Sequence, residues 1–369
     1  MSFLPLLQSL ARINLSKDEA IAADLSLQEV SDWSGLLNKT EVYAISNLFL
    51  KHVNEHKLTV PQTSLLSLKG LAMRHRSAAD ARHKLMQELS AAFEKNHIPL
   101  LALKGLALAP MIYPEDKFRP MRDIDILVPR SKEQLAAKVL REIGFNLPES
   151  QPSKFMRDSH QLPNATKKVN GFTISVEIHH DAITRDVSES LVYEDAEPFL
   201  QTYVWRDLQI KTLGHEQMLH QVSRHLESLH PGAILKLINV LDVVLYAEHF
   251  INEIDWVVIR KKYSHVINTL KCLHMIVPLS DVLTEKVGGV TDVRSNNIGE
   301  IMLPLTHIIN KRNSIAKQFD LLFKPSDWWL YLYYNVDPEK KLIFVKLVRH
   351  PLTIIRWLWK RLISRILGG

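Results

Sequence analysis

The stretch LLALKGLALAPMIYPEDKFRPMRDIDILVPRSKEQLAAKVLREIGF, residues 100–145, decides the fold. The apolar run that leads into it, Ile98–Leu103, predicts a strand that ends in a tight turn, and Leu106–Tyr113 predicts a short helix after that turn. In Asp123–Val128 (DIDILV) the side chains alternate as they do in a second strand. Strands and helices that follow one another at this spacing predict a compact α/β core.

The sequence outside this stretch extends the core and then becomes helical. Phe172–His179 (FTISVEIH) alternates and predicts a third strand, and Tyr203–Thr212 predicts a fourth. Apolar residues in Asp32–Val53 recur at steps of three or four, and the pattern is helical again from Gly214 onward. We therefore predict an α/β (or α+β) core flanked by N- and C-terminal helical domains. The predicted divisions are an N-terminal helical domain at 1–96, the core at 97–214, a C-terminal helical domain at 215–339 and a basic amphipathic tail at 340–369.

The positive charge of the chain is concentrated at its C-terminal end. The 369 residues carry a net charge of +6, yet no Asp or Glu follows Glu339, and residues 340–369 contain eight Lys and Arg residues. Subtracting these eight charges from +6 leaves −2 for residues 1–339. The basic balance therefore belongs to the tail and gives no support to a nucleic-acid-binding surface across the molecule, so no nucleic-acid partner is expected.

Composition, cysteine content and hydropathy limit the classes of protein to which this sequence can belong. With 46% hydrophobic and 23% charged residues, the composition is that of a globular protein and excludes collagen-like and disordered classes. The single cysteine, Cys272, cannot form an internal disulfide and favours a reducing, cytoplasmic compartment. The N-terminus lacks the basic region of a signal peptide, and no run of about 18 apolar residues predicts a membrane-spanning helix.

The basic segment 340–369 is also amphipathic. Leu352–Leu367 predicts a helix with Pro351 in its first turn, with cations on about half of its circumference and apolar residues on much of the rest. A basic amphipathic helix is typical of a protein that binds an anionic membrane surface, which here means a peripheral position at the inner face of the membrane. The alternative is that the apolar face docks on the helical domain and the cations face water.

Two carboxylates in the second strand are the strongest chemical signal. Asp123 and Asp125 project from the same face of an extended backbone, and a cation between them relieves their repulsion. Carboxylate oxygens favour Mg²⁺ or Mn²⁺. Glu177 lies on the polar face of the third strand, so if these two strands are adjacent, three carboxylates converge as a two-metal phosphoryl-transfer site requires. The alternative is a solvated pair on an exposed strand, although Asp is disfavoured in strands.

Basic and small residues near these strands are candidates for holding phosphate. At the end of the first strand, Gly105 lets the backbone approach a ligand closely, and Lys104 supplies a positive charge beside the N–H groups of the next helix. The alternative for this dipeptide is an ordinary turn. Arg119 and Arg122 precede the second strand and can neutralise a polyphosphate, or they serve only solubility. His179, two residues after the third carboxylate, is a candidate to contact substrate or to orient that carboxylate.

Together these residues resemble a known family. Residues 100–145 are similar to the uncharacterised bacterial nucleotidyltransferase family of the DNA polymerase β-like superfamily. The pattern of that family is an apolar strand, Lys-Gly, a short helix, Tyr-Pro, Arg, and then Asp-Ile-Asp-hydrophobic-Leu-Val. A later strand with Glu-hydrophobic-His is matched by Glu177-Ile178-His179. The likeness covers about residues 30–250, and its central block is the specific part.

The resemblance implies a small mixed-sheet nucleotidyltransferase core. It also implies metal-dependent transfer of a nucleotidyl group from a nucleoside triphosphate to an acceptor that the sequence does not identify. By the same resemblance, Asp123, Asp125 and Glu177 hold the metal ions, and Glu177 helps to deprotonate or position the acceptor hydroxyl. A membrane-facing tail adds the hypothesis that the acceptor belongs to surface-polysaccharide or lipid-linked biosynthesis.

One departure from the wider superfamily leaves other functions open. The superfamily usually has Gly-Ser at the phosphate-binding turn, whereas Leu106 follows Gly105 here and Lys104 is the candidate replacement for the missing hydroxyl. A glycosyltransferase whose DxD motif holds the metal of a nucleotide sugar is one alternative. A non-catalytic membrane-surface adaptor on a nucleotidyltransferase fold is the other.

A series of histidines near residue 220 does not fit a shared metal site. The four histidines recur every five residues, so they spiral around a helix instead of lining one face of it. We expect at most one of them to face the active site. The series consists of His215, His220, His225 and His230.

Overall fold

The computed structural model divides the chain into two compact units. The first contains Met1–His225 and Lys236–Asp255, and the second contains Leu226–Leu235 and Trp256–Gly369. The residues that the structure describes are 3–148, 160–183, 189–227, 235–290, 323, 327–356 and 359. A helix predicted at about 298–320 and the histidine at position 230 lie outside the described residues.

A mixed sheet forms the centre of the first unit, as the resemblance implied, and it has six strands where the sequence predicted four. Its strand order is β3-β4-β2-β1-β6-β5. β2 runs parallel to β4, and β1 runs parallel to β6, while the other neighbours are antiparallel. The strands are β1 (Leu101–Ala102), β2 (Asp123–Leu127), β3 (Ala165–Val169), β4 (Phe172–His179), β5 (Gln201–Trp205) and β6 (Leu208–Thr212).

Two strands differ from the sequence prediction because of tight turns. β3 was not predicted, although Asn170-Gly171 connects it to β4 with both residues at positive φ, the conformation of a two-residue hairpin turn. The single strand predicted at Tyr203–Thr212 is a hairpin of two strands. Its turn contains Arg206 at φ 58°, a conformation that an arginine does not signal in sequence.

Five helices precede the sheet in the first unit. The helix predicted over Asp32–Val53 is broken into two, because Ala44 adopts a left-handed conformation (φ 59°) and the chain turns there. No Gly or Pro marks this break. The helices are α1 (Leu4–Leu10), α2 (Lys17–Gln28), α3 (Trp33–Val42), α4 (Ser46–His56) and α5 (Gln62–Lys95).

The remaining helices of the first unit surround the strands. α6 connects β1 to the loop before β2, and α10 packs against α6. Both faces of β2 are covered, because Ile124 and Ile126 on one face and Asp125 and Leu127 on the other are all buried. The helices are α6 (Lys104–Ile112), α7 (Glu133–Glu142), α8 (Tyr193–Ala196), α9 (His215–Glu227, whose last turn belongs to the second unit) and α10 (Leu237–His249).

The described part of the second unit is helical. A buried network ties its elements together, because Glu227 accepts hydrogen bonds from His265 Nδ1 (2.8 Å), Thr269 Oγ1 (2.5 Å) and Asn335 Nδ2 (3.1 Å). No described helix is both long and apolar enough to span a membrane. The helices are α11 (Trp256–Lys262), α12 (His265–His274), α13 (Asp281–Lys286) and α14 (Asp327–Tyr334), followed by a helical segment at 343–356.

This last segment begins earlier than predicted. Helical structure starts at residue 343, and Pro351 lies inside the helix instead of in its first turn. A π-helical turn at Val345–Arg349 comes just before the proline. A proline has no N–H and its ring crowds the preceding turn, so a widened turn at this point is the expected adjustment.

Candidate active site

The parallel pairing of β2 with β4 brings the predicted carboxylates together. Asp125 lies directly opposite Glu177, and Asp123 lies opposite Ser175. Since side chains alternate along each strand, Asp123, Asp125 and Glu177 project from the same face of the sheet. Asp125 is buried, whereas Asp123 and Glu177 are partly exposed. The arrangement is a carboxylate cluster with its deeper member inside the fold and the others toward solvent.

Asp125 is held by two cationic or polar partners. Lys104 Nζ lies 2.6 Å from Asp125 Oδ1, and His179 Nε2 lies 2.9 Å from the same oxygen. Burial alone would raise the pKa of Asp125, but the Lys104 ammonium and the His179 hydrogen bond outweigh it and hold that pKa well below its ordinary value. Burial lowers the pKa of Lys104, yet the facing carboxylates of Asp125 and Glu177 raise it by more. Asp125 and Lys104 are therefore both charged.

His179 orients Asp125 instead of Glu177. A carboxylate can only accept, so His179 Nε2 carries the proton that it donates to Asp125, while Glu177 Oε2 is 3.7 Å away from the same nitrogen. Burial lowers the pKa of His179, which makes this neutral form the stable one. The ring stacks on His160 with centroids 5.4 Å apart. The ring of His179 is thus held in place, with its Nε2 proton directed at Asp125.

Glu177 differs electrostatically from Asp125. Asn164 Nδ2 donates to Glu177 Oε1 (2.8 Å). Burial raises the pKa of Glu177, and the negative charges of Asp125 and Asp123 raise it further. A carboxylate whose charge is disfavoured by its neighbours is suited to accept a proton or to bind a cation.

The turn that carries Lys104 is strained. Lys104 has φ 45°, a left-handed conformation that costs energy for a residue with a Cβ. It is the first residue of α6, and this conformation is part of the geometry that presents its ammonium to Asp125. Packing also requires a glycine at position 105. A Cβ at Gly105 would clash with the guanidinium of Arg119 and with Met121 Cγ.

Arg119 is committed to a buried ion pair. Its Nε and Nη2 donate to both carboxylate oxygens of Asp242 at 2.6–3.1 Å, and Tyr113 Oη donates to Asp242 Oδ1 at 2.8 Å. Arg119 and Asp242 are both buried. Burial lowers the pKa of Arg119, but Asp242 raises it by more. The charge of Arg119 is therefore already neutralised inside the protein, and Asp242, 123 residues away, has no signal near Arg119 in the sequence.

Two other cations near the carboxylates remain without such partners. Arg122 is exposed and Lys236 is half-buried, and neither forms an ion pair with a carboxylate in the described part of the chain. Burial lowers the pKa of Lys236, and the positive charge of Arg122 lowers it further, against the opposing influence of Asp123. Arg122 was predicted as a site residue, whereas Lys236 was not. Lys236 directly precedes α10, where a lone lysine carries no motif.

The histidine series is divided among different surroundings. His215 Nδ1 lies 3.1 Å from Tyr246 Oη and its ring packs on Phe250. His220 lies 3.7 Å from Glu189. Burial lowers the pKa of His225 to about 3, and the nearby Lys104 ammonium contributes to this shift. His225 is therefore electrostatically coupled to the carboxylate site.

The donor set fits a divalent metal ion. One ligand atom each from Asp125, Glu177 and His179 lies within 4.8 Å of the others. Carboxylate oxygens are the ligands of Mg²⁺ and Mn²⁺, and a bound cation would remove the repulsion that raises the pKa of Glu177. His179 already donates its Nε2 proton, so the carboxylates are the stronger candidates. The Lys104 ammonium lies against one oxygen of Asp125 and is the internal cation with which a metal ion would compete.

Comparison with known proteins identifies the family. The model of the family described as uncharacterised nucleotidyltransferase matches residues 29–279. The chain belongs to this family. The match covers more than half of the sequence and includes both strands of the carboxylate cluster, so the resemblance to nucleotidyltransferases is confirmed. No curated protein matches the chain.

Solved structures similar to this nucleotidyltransferase family member are distant. ANT(2″)-Ia in complex with adenylyl-2″-tobramycin is 13% identical, with 46% of this chain and 90% of that chain covered and a TM-score of 0.33. An antigenic nucleotidyltransferase-like protein from Paracoccidioides brasiliensis is 12% identical, with 62% and 97% covered and a TM-score of 0.37. The family assignment therefore depends on the sequence match.

Proposed function

We propose that this protein is a metal-dependent nucleotidyltransferase that moves a nucleotidyl group from a nucleoside triphosphate to an acceptor hydroxyl. The observation that supports the proposal is the register of β2 against β4, which places Asp125 beside Glu177 with Asp123 on the same face. Membership of a nucleotidyltransferase family supports the class of reaction. Asp123, Asp125 and Glu177 would hold Mg²⁺ or Mn²⁺, which when bound stabilises charge on the reacting phosphate.

Side chains of the site are proposed to remove the acceptor proton and to hold the carboxylates in position. The acceptor oxygen attacks the α-phosphorus, the bond from that phosphorus to the pyrophosphate oxygen breaks, and the acceptor proton has to leave. Glu177 is the group proposed to receive or direct this proton, because it is partly exposed and lies on the same face of the sheet as Asp123 and Asp125. His179 keeps Asp125 in position throughout through its hydrogen bond.

The triphosphate is bound by cations that face the carboxylates. Lys104, Arg122 and Lys236 are the candidates, because the charge of Arg119 is already neutralised by Asp242. Lys104 would replace the hydroxyl that the wider superfamily places after the glycine. In this proposal Lys104 moves from Asp125 toward a donor phosphate when a metal ion takes its place on the carboxylate.

Thermal denaturation with ligands tests the donor. The four nucleoside triphosphates and several nucleotide sugars are each added with Mg²⁺, Mn²⁺ or EDTA to the wild type and to an Asp123→Ala/Asp125→Ala variant. A ligand at 100 times its Kd stabilises by about 2.7 kcal/mol, which a melting curve resolves. We expect a metal-dependent shift with a triphosphate that disappears in the variant. A shift with nucleotide sugars alone would instead favour a glycosyltransferase, and no shift with any ligand would favour an adaptor.

We also propose that the basic end of the chain binds an anionic membrane surface. The helical segment at 343–356 exposes a row of large apolar side chains at helical spacing, and cations are interspersed along it without any acidic residue. Other side chains of the same segment are buried, so the exposed row is the face that the second unit leaves uncovered. The exposed residues are Ile343, Phe344, Leu347, Val348, Leu352, Ile355 and, beyond the segment, Trp359.

The positive charge of residues 340–369 favours an anionic lipid surface as the partner. Lys340 and Lys341 precede the apolar row, and juxtamembrane cations contribute about 1 kcal/mol each on an anionic surface, whereas Lys346 is already paired with Asp327 at 2.6 Å. We expect co-sedimentation with vesicles that contain phosphatidylglycerol and not with pure phosphatidylcholine vesicles. Binding should weaken as salt concentration rises. Equal binding to both kinds of vesicle would contradict the electrostatic part of the proposal. An acceptor in surface-polysaccharide or lipid-linked biosynthesis would suit such a location.

A further inference from the structure

A second group of metal-ligating side chains lies outside the candidate active site, on the last turn of α4. His52, Glu55 and His56 are spaced i, i+3 and i+4, so they share one face of the helix. One ligand atom from each lies within 4.8 Å of the other two. Two imidazoles and a carboxylate form the donor set of a zinc site, in contrast to the carboxylates on β2 and β4.

His52 has one ring nitrogen committed to the backbone and one without a partner. Its ring is completely buried, and Nε2 lies 2.9 Å from the carbonyl oxygen of Arg12. A carbonyl can only accept, so Nε2 carries the proton and Nδ1 carries a lone pair. Nδ1 is buried and makes no hydrogen bond within the described part of the chain. A histidine that donates one nitrogen to a backbone carbonyl and leaves the other unpaired matches the usual outer contact of a metal-bound imidazole.

The two other side chains have the freedom to complete the site. Glu55 is exposed and His56 is partly exposed, so both can adjust. Zinc bonds of about 2.0–2.1 Å place tetrahedral ligand atoms about 3.4 Å apart, so the Glu55 carboxylate and the His56 ring would close on the ion when it binds. Lys51 Nζ contacts Glu55 Oε2 at 2.6 Å, and it is also held by the Ile13 carbonyl at 2.7 Å. The other oxygen of Glu55 is the one available to a metal ion.

We propose that His52, Glu55 and His56 bind one divalent transition-metal ion of the zinc class. All three ligands belong to α4, so the ion would hold the last two turns of that helix together, next to the Arg12 carbonyl that His52 already contacts. The site would be separate from the reaction at Asp123, Asp125 and Glu177.

Calorimetric titration of Zn²⁺ into the full chain tests this proposal. Excess Mg²⁺ is present throughout so that it competes for the carboxylate site. We expect the wild type to bind one more equivalent of Zn²⁺ than His56→Ala, and Glu55→Gln to bind that equivalent at least tenfold more weakly. His249→Ala, which removes an exposed histidine from the end of α10, is the matched control and should behave as the wild type does.

Melting temperatures separate loss of the site from loss of the fold. Without metal, the wild type, His56→Ala and Glu55→Gln should melt together, because the two substituted side chains are at least partly exposed. With Zn²⁺ in the presence of excess Mg²⁺, the melting temperature should rise more for the wild type and His249→Ala than for His56→Ala and Glu55→Gln. Identical Zn²⁺ stoichiometry and affinity in the wild type, His56→Ala and Glu55→Gln would overturn the proposal. Neither readout depends on transferase activity.

Discussion

In the proposed mechanism, Lys104 competes with a metal ion for Asp125 and also binds a phosphate of the donor. Its ammonium already neutralises Asp125 at 2.6 Å, so a metal ion on that carboxylate must displace it. We predict that Lys104→Met binds Mn²⁺ at least tenfold more tightly than the wild type, about 1.4 kcal/mol, because the competing cation is gone. The same variant should bind a metal–triphosphate complex more weakly, because one phosphate contact is lost.

Mn²⁺ affinity can be measured by electron paramagnetic resonance of the free ion, with and without triphosphate. Lys138→Met, on the exposed face of α7, is a control that removes one lysine away from the site. Mn²⁺ binding that is equal or weaker in Lys104→Met would show that this ammonium does not compete with the metal ion.

Arg119 and Arg122 lie three residues apart, but truncation should affect different properties. Loss of Arg119 should reduce stability, and loss of Arg122 should reduce triphosphate binding. Arg119→Ala leaves the buried carboxylate of Asp242 without its partner, so we predict a loss of about 3–5 kcal/mol in the free energy of unfolding. Arg122→Ala removes an exposed side chain and should change stability by no more than about 0.5 kcal/mol. It should nevertheless weaken triphosphate binding. Urea denaturation and nucleotide titration of both variants provide the comparison, and equal stability losses would contradict it.

Glu177 should make the metal-free protein less stable as pH rises. Its pKa in the folded state is raised above the ordinary 4.5, first by burial and then by Asp125 and Asp123. The folded state therefore binds more protons than the unfolded state between the two pKa values, and stability falls as pH rises through that window. In EDTA, Glu177→Gln should be more stable than the wild type at pH 7 and similar to it at pH 4. Glu142→Gln, on the exposed face of α7, is the control. A variant that is less stable at pH 7 would contradict the sign.

At the scale of elements, the hairpin between β3 and β4 fixes the position of Glu177. Its turn places Asn170 at φ 48° and Gly171 at φ 85°. Gly171→Ala forces a Cβ into the left-handed conformation, so we predict a loss of about 1 kcal/mol in the free energy of unfolding. Gly70→Ala is the matched control, because Gly70 lies inside α5 with open space around it and alanine is the better helix former by about 1 kcal/mol. Denaturation of both variants should give shifts of opposite sign.

Local patterns predicted the elements that carry the chemistry, and the confirmed parts are those with short-range signals. Alternation in DIDILV and FTISVEIH gave β2 and β4, and period-2 geometry placed Asp123 and Asp125 on one face. The Asn170-Gly171 dipeptide is a hairpin signal that was available and would have revealed β3. The break at Ala44 had no such signal, because alanine is not a residue type that favours the left-handed conformation found there.

Contacts between distant segments could not be predicted in the same way. Asp242 and Lys236 reach the neighbourhood of β2 only because α10 packs against α6, and their positions in the sequence give no hint of it. The charge on Arg119 therefore looked available in sequence and is neutralised in the structure. The site residues themselves remain predictions that the proposed variants address.

At the scale of the whole molecule, the charge and the exposed apolar surface of the C-terminal end coincide. Deleting residues 340–369 would be a poor test of membrane binding, because Leu342, Val345 and Ile354 are buried and their loss would expose the interior of the second unit. Substitution of exposed residues alone avoids this difficulty. Replacing residues of the exposed row should have little effect on the free energy of unfolding.

Phe344→Ser/Leu347→Ser should separate membrane binding from folding. These side chains are 66% and 73% exposed, so the free energy of unfolding should hardly change. Burying one such side chain in an apolar phase contributes about 1.5–3 kcal/mol, and we predict at least tenfold weaker binding to anionic vesicles when both are lost. Ile21→Ser/Leu25→Ser on α2 removes apolar side chains of similar exposure, 60% and 59%, and should bind as the wild type does. Equal losses in both variants would mean that apolar exposure in general, and not the basic C-terminal face, causes the binding.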